Sequence, residues 1–415
     1  MKHYVIIGGS IAGINCVEGI RSVDPQGEIT VVTSEAHSNY GRPLISYYLE
    51  GKTDIEHMSY RGADFYEKNN CTVYHSVTAE SIDPAAKTVT LSDGRTLSYD
   101  ALCVAAGSSP FVPRFEGLET VPNCYTFTTL SDALALEKAV NKTSRVLIIG
   151  GGFIGLKCAE GLAGRAGQIT VCDLAGYVMS SILDEECAPL LEKRLTDNGI
   201  RLLMGDSAIG FEGNTAHMKS GGAIDFDVLV IAIGTRPNTS LIANAGGSVG
   251  RGVQVDDHMH TSLPDVWAAG DCVECTDITT GETSLLSILP NASMQGHCAG
   301  INMAGGDSVF DKGIRMNSIG FFGMHIMTAG TYFTPEQGGE VYTDMRENQC
   351  KKLFIKDGVL TGFILIDDVE RAGIYTSLIR ERTPLDAIDF EAVKKEPSLL
   401  PFGREYRSKK LGGTV

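Results

Sequence analysis

Two glycine-rich turns, each placed between a short apolar run and a helical pattern, constrain this chain more than any other feature. The first reads Val5-Ile6-Ile7-Gly8-Gly9-Ser10-Ile11-Ala12-Gly13, and the second Val146-Leu147-Ile148-Ile149-Gly150-Gly151-Gly152-Phe153-Ile154-Gly155. Closely spaced glycines let backbone N–H groups approach a pyrophosphate at a helix N-terminus, which is the signature of a dinucleotide-binding βαβ unit. One such turn is a weak signal. Two in one polypeptide, 142 residues apart from Gly8 to Gly150, point to two dinucleotides and so to electrons passing between them.

The bulk properties fit that reading. A chain of 415 residues has room for two or three domains, and its 48 glycines suit many tight turns and close backbone–ligand approaches. A net charge of −16 argues against nucleic-acid or anionic-membrane binding, and an acidic protein partner would need a local basic patch. No run reaches the ~18 apolar residues of a membrane span, and Met1-Lys2-His3 leads straight into a strand, so the expected location is cytoplasmic. The 11 cysteines are scattered, as small apolar fillers would be in a reducing compartment.

Along the chain, residues 1–35 read strand, turn, helix, strand; later strands are expected at Val73–Val77, Thr88–Leu91 and Ala101–Ala106. Ser109–Pro113, with two prolines, reads as a linker. The pattern restarts with a strand at Val146–Ile149, a helix at Ile154–Gly164, a strand at Ile169–Cys172, a long helix over about Asp184–Asn198 and a strand at Val228–Ile233. A further helix is expected over Asn291–Met303, then strands and turns after Gly313. The tail after Pro397 is basic and reads as mobile or lying against a partner.

Taken together, these segments resemble the FAD-dependent pyridine nucleotide–disulfide oxidoreductase superfamily over about residues 3–390. The stretch Asn39-Tyr40-Gly41-Arg42-Pro43-Leu44-Ile45-Ser46-Tyr47-Tyr48-Leu49 and the later Met316-Asn317-Ser318-Ile319-Gly320-Phe321-Phe322-Gly323 are similar to the branch of NADH–rubredoxin reductases and nitrite reductase flavin domains. Similar flavoproteins serve as NAD-linked subunits of anaerobic iron–sulfur enzymes. The resemblance implies an α/β fold with two Rossmann-like domains and a C-terminal α+β interface domain. FAD would bind a discontinuous domain, 1–110 and 240–314; NAD an inserted one, 111–239; the interface domain would be 315–395, with a tail at 396–415.

For FAD, the resemblance assigns Gly8, Gly9, Ser10 and Gly13 to the pyrophosphate, with Ser10 where a glycine is usual. Glu35, 22 residues after Gly13, has the spacing of a carboxylate that accepts from a ribose diol. Ala105-Ala106-Gly107 resembles the crossover strand, with Ala106 replacing a threonine and Gly107 following it. Asp271 matches an aspartate that bonds the ribityl chain, and Asn291 and Ala292 would aim a helix N-terminus at the flavin.

For NAD(H), Gly150, Gly152 and Gly155 complete G-x-G-x-x-G. Asp173, 18 residues on, accepts a ribose 2′-hydroxyl but repels a 2′-phosphate, which favours NADH over NADPH. Phe153 occupies the position of an aromatic gate over the flavin. Lys157 replaces a family glutamate that pairs with a basic residue near flavin N5. With Arg42 as that basic residue, the pair becomes two cations; the alternative for Lys157 is a solvated helix lysine.

Members that reduce disulfides carry a C-x4-C pair in the first long helix of the FAD domain, and other members one cysteine nearby. Residues 38–49 contain none here, and no histidine precedes a proline. Electrons would then leave the flavin directly, for a rubredoxin, a ferredoxin or an iron–sulfur subunit, from a homodimer or a heteromeric complex. Cys272-Val273-Glu274-Cys275 leaves open an oxidase, peroxidase or persulfide reductase, although one such pair cannot make a four-ligand metal site. A third reading is a non-catalytic FAD-bearing subunit whose nicotinamide site Lys157 disables. No metal cluster is visible in the sequence.

Overall fold

The fold was analysed in a computed structural model that describes residues 1–37 and 39–411. The chain divides into two compact units. One comprises Met1–Val178, Thr196–Thr276 and Thr283–Gly313; the other Met179–Leu195, Asp277–Glu282 and the chain from Ile314 onward.

The first unit contains both nucleotide domains, and they share one plan. In the first domain a parallel sheet runs in the spatial order Val266–Ala268, Ala101–Val104, His3–Ile7, Glu28–Val32, Cys71–Tyr74. In the second the order is Ile200–Met204, Gln168–Asp173, Arg145–Ile149, Val228–Ile231, Cys124–Tyr125, again all parallel. Val5, Ile6, Leu147 and Ile148 are fully buried, as expected of strands covered on both faces. Val266 pairs with Leu102, so the chain does return to the first sheet after the insertion.

The insertion is entered and left through one ribbon. Ser108–Pro110 pairs antiparallel with Thr235–Pro237, and Asn238 donates from its amide nitrogen to Ala106 O at 2.8 Å and from its backbone to Gly107 O at 2.9 Å. The first two residues of the expected linker, 109–110, therefore belong to a paired two-stranded crossing. Its prolines are tolerated because each sits on an edge.

Helix Leu289–Met303 lies against helix Ile11–Val23 because small residues meet at the crossing. A β-carbon added at Gly296 would fall 2.1 Å from Ala12 O, and one at Gly300 would fall 2.2 Å from Cys16 O. The helix starts two residues earlier than the sequence suggested, since Pro290 suits its first turn. Its N-terminus is thereby brought beside the first glycine turn.

The second unit is a five-stranded antiparallel sheet in the order Met316–Phe321, Met324–Gly330, Val359–Ile366, Gln349–Lys356, Glu340–Arg346. Helix Gly373–Glu381 packs on it through Tyr375, Leu378 and Ile379. The tail joins this core: Phe402 is 3 % exposed, and Tyr406 stacks on it at 4.6 Å. The sequence predicts a tail that is mobile or lies against a partner; here Phe402 and Tyr406 pack on this unit's own core, while Leu400 is exposed, and residues 412–415 lie outside those described. Met179–Leu195 also clusters with this unit although it falls within the stretch expected to bind NAD. The long helix expected there is Ala188–Asp197, four residues shorter at its start, since Asp184 instead accepts from Cys187 N at 2.9 Å. Among the described residues, no helix is long and apolar enough to cross a membrane.

Candidate functional site

The first cradle is shaped by what glycine lacks. Gly8 has φ +121°, and a β-carbon there would sit 2.1 Å from Ala105 O; one at Gly13 would sit 1.9 Å from Gly8 O. The turn, the first helix and the crossover strand can close together only without those carbons. Gly9 contributes its carbonyl to Asn39 N at 3.1 Å. Ser10 is the N-cap of helix Ile11–Val23, yet its side chain makes no capping bond, and no acidic residue stands in the first turn. Helix Leu130–Ala139 differs sharply, with a full capping box between Thr129 and Asp132. The nucleotide helix thus keeps a positive end and N–H donors for an anion.

Glu35 follows strand Glu28–Val32 and is enclosed by side chains. Tyr40 donates its hydroxyl to Oε2 at 2.5 Å, and Arg42 bonds Oε1 through Nη2. Arg42 also donates to Thr128 O at 2.9 Å. The expected two-cation pair is not formed: the Arg42 guanidinium bonds Glu35, and the Lys157 ammonium bonds Glu160. Arg42 also acts electrostatically on Asp271 and Tyr60. Burial pushes the Asp271 carboxyl above its ordinary range, while the Arg42 charge and the Ser108 hydroxyl pull it back. Burial likewise pushes the Tyr60 phenol up to about 12. Its hydroxyl is enclosed beside the Arg42 backbone N–H, and among the described residues no acceptor takes its proton.

The remaining predicted FAD residues converge on the same place. Gly270 has φ +85°, donates to Gln295 Oε1 at 2.9 Å, and would press a β-carbon to 3.0 Å from the Ala12 methyl. Gly107 has φ +63° and faces open space. The Ala106 carbonyl is taken by Asn238. Asn291 and Ala292, both buried, lie in the first turn of helix Leu289–Met303. Uncapped N–H donors, an open glycine face and an enclosed phenol whose proton has no acceptor among the described residues fit a large polar cofactor such as FAD.

The second cradle repeats the first with a different acid. Gly150 has φ +120° and would place a β-carbon 2.2 Å from Ala232 O, while Gly155 would place one 1.9 Å from Gly150 O. Gly152 caps helix Phe153–Ala163 without a side-chain bond, and a β-carbon there would meet nothing within 4 Å. Asp173 is held by backbone: Oδ2 accepts from Gly151 N at 2.6 Å and Oδ1 from Ala175 N at 2.8 Å. Leu174 beside it is 62 % exposed. The residues present fit NAD(H) as the others fit FAD.

Phe153 is half-buried at the start of that helix. Lys157, one turn on, is neither a solvated lysine nor part of a cation pair. Its ammonium bonds the carboxylate of Glu160, which is 3 % exposed, and lies 4.8 Å from the Tyr47 ring centre. The i, i+3 spacing of Lys157 and Glu160 was a legible signal for this pair. Tyr47 belongs to helix Ile45–Glu50, which packs on helix Phe153–Ala163 where Gly161 would bring a β-carbon 3.0 Å from Ser46 O. Lys157 therefore sits in the contact between the two nucleotide domains.

The two cysteines of the C-x-x-C do not face each other's surroundings. Cys272 packs in one apolar cluster and donates to Val104 O and Ala269 O, at 3.4 and 3.3 Å. Cys275 packs in the other and accepts from Gln295 Nε2 at 3.3 Å. Burial pushes the Cys272 thiol up to about 12, opposite to what a nucleophile or metal ligand needs.

Residues 2–296 match the pyridine nucleotide-disulphide oxidoreductase family, and residues 316–383 the rubredoxin NAD+ reductase C-terminal domain. The epsilon subunit of the NADH-dependent phenylglyoxylate dehydrogenase of Aromatoleum evansii is 31% identical over 98% of this chain and 97% of its own length. The NAD(P)H nitrite reductase of Bacillus subtilis is 28% identical over 97% of this chain, which spans only 50% of that larger protein. Among solved structures, an NAD-dependent persulfide reductase from A. fulgidus superposes with a TM-score of 0.85 at 27% identity, over 93% of this chain and 78% of that one. The chain belongs to the pyridine nucleotide–disulphide oxidoreductase family.

Proposed function

We propose that this chain passes electrons between NADH and the metal centre of a protein partner, of the rubredoxin, ferredoxin or iron–sulfur-subunit kind, in the cytoplasm. The enzyme is an FAD-dependent NADH oxidoreductase; when bound, FAD supplies two-electron exchange with the nicotinamide and release of electrons singly or in pairs. The chain supplies position. Gly8, Gly9, Ser10 and Gly13 hold one diphosphate and Glu35 a ribose; Ala106, Gly107, Asp271, Asn291 and Ala292 complete that site. Gly150, Gly152, Gly155 and Asp173 hold the second dinucleotide. Phe153 covers the meeting place, and Lys157 with Glu160 fixes its helix against helix Ile45–Glu50. In this assignment residues 1–110 and 240–314 bind FAD, and 111–239 bind NAD.

One observation carries the proposal. The segment where thiol-using relatives place cysteine, residues 38–49, contains no sulfur here, while Cys272 and Cys275 are packed away. The A. evansii relative, an NADH-dependent enzyme's subunit matched over 97% of its length, supports a role as the NAD-linked member of a larger complex. The test is anaerobic reduction of a rubredoxin or ferredoxin by NADH and the purified flavoprotein. Acceptor bleaching that persists in Cys272→Ser/Cys275→Ser is expected. Cleavage of a persulfide substrate that is lost in that variant would select the thiol reading instead. FAD binding without any NADH affinity would select the non-catalytic one.

A further inference from the structure

In the second unit, four ties fasten the Met179–Leu195 stretch to the antiparallel sheet, and one of them is a pair of thiols. The Tyr332 hydroxyl donates to Ile182 O at 3.2 Å, the Lys352 ammonium bonds Asp184 at 2.6 Å and also Glu186, and Arg194 donates to Phe322 O at 3.0 Å. Between these, Cys187 Sγ lies 3.0 Å from Cys350 Sγ, and both residues are fully buried. The strand period explains the grouping. Cys350 and Lys352 are two apart on Gln349–Lys356 and face the stretch together, whereas Lys351 points to the other face and pairs with Asp368 at 2.8 Å. On the facing side, Asp184 accepts from Cys187 N while it bonds Lys352, so one carboxylate ties the thiol's backbone to the partner strand.

We propose that Cys187 and Cys350 form an oxidation site, at which hydrogen peroxide converts the two thiols to a disulfide joining Met179–Leu195 to strand Gln349–Lys356. One cysteine's thiolate attacks the O–O bond, giving a sulfenic acid and one water after protonation. The other thiolate attacks that sulfur, the S–S bond forms, and the oxygen leaves as a second water. Two thiols and one peroxide thus become one disulfide and two waters. A small dithiol reverses the step by exchange.

The surroundings make this a slow, sheltered reaction. The hydrogen bond shared with Cys350, then burial, hold the Cys187 thiol far above its ordinary range. The charged and titratable groups facing the pair are Asp184 and Glu186 from its own stretch, and Lys352 and Tyr332 from the sheet. Thiolate is therefore scarce at neutral pH, and oxidation speeds up as pH rises.

The test treats the full-length holoprotein with hydrogen peroxide, quenches, alkylates in denaturant and maps peptides by mass. The expected result is a cross-linked peptide pair containing Cys187 and Cys350 that dithiothreitol removes, forms about 100-fold faster at pH 9 than at pH 7 because the thiolate fraction rises about tenfold per pH unit, and raises the melting temperature. In Cys187→Ser, Cys350 is expected to remain alkylatable. Full alkylation of both residues after peroxide treatment overturns the proposal, as does their conversion to sulfinic or sulfonic acids, or cross-linking to other cysteines. The wild-type map decides the matter even if the variants fold poorly. Flavin reduction by NADH is read separately on the same samples, so failure here leaves the electron-transfer reading untouched.

Discussion

The two glycine cradles are near copies in backbone and opposites in how each holds its acid. At both, a glycine near φ +120° abuts the carbonyl of a neighbouring strand's exit, Ala105 in one and Ala232 in the other. Yet Glu35 is locked by two side chains, Tyr40 and Arg42, whereas Asp173 is held by two backbone N–H groups beside an exposed leucine. The first is a side-chain cage that also reaches Thr128 in the inserted segment; the second is preset by its own turn. The same βαβ plan thus holds its acid in two different ways.

The strongest way to break this contrast is to fill each cradle. Gly8→Ala is expected to abolish FAD retention and cost about 3 kcal/mol or more of stability, since its β-carbon meets a carbonyl in a strained backbone region. Gly150→Ala is expected to cost similarly in its own domain, but to spare FAD and abolish NADH binding. Flavin-to-protein absorbance ratios and thermal melts read both.

Next in size is Asp173→Ala. Two short bonds to the turn and the ribose acceptor vanish together, so KM for NADH is expected to rise about 10- to 100-fold. Flavin content should not change. An unaltered KM would remove Asp173 from the site.

Arg42→Ala sharpens the comparison at the other acid. FAD affinity is expected to fall about two- to tenfold, a modest figure because the Arg42–Glu35 pair is partly exposed to solvent, with KM for NADH unchanged. A fall in kcat with normal FAD affinity would restore the role near flavin N5 that the sequence suggested.

The smallest effect concerns Asp271. Its carboxyl is raised by burial, so in the cofactor-free chain the ionised form is the strained one. Asp271→Asn is expected to stabilise the apoprotein at neutral pH by on the order of 1 kcal/mol while weakening FAD retention. Because the folded pKa lies above the unfolded one, that gain should shrink as pH falls through the raised value and the wild-type carboxyl protonates. Melting curves of the apoprotein across that window check it.

Much of this site was legible because its constraints are local. Gly8, Gly150 and their following glycines are fixed by turn geometry, and Asp173 by a strand length, so spacing alone located them. Asp271 and Asn291 were legible only through the resemblance, which supplies long-range pairing that periodicity lacks. The Arg42–Glu35 pairing was not legible because the partners of Arg42, Glu35 and Thr128 O, converge from 7 and 86 residues away, a distance in sequence that says nothing of direction in space. Lys157 could have been read correctly from Glu160 one turn on. The attachment of residues 179–195 to the C-terminal sheet was not legible: it rests on Lys352 and Cys350, charged and apolar residues interleaved on a strand whose partner lies in a remote segment. The ribbon through Ser108–Pro110 was missed for the opposite reason, since two prolines in five residues look like a break until a second edge is present to pair with.

The central claim is that nothing but the flavin stores electrons between NADH and the acceptor. Anaerobic titration of the holoprotein with NADH, followed by flavin absorbance and by alkylation of free thiols, tests it most directly. About one NADH per FAD should complete the bleaching, with the thiol count unchanged throughout. A second equivalent taken up before completion, accompanied by newly titratable thiols, would contradict it.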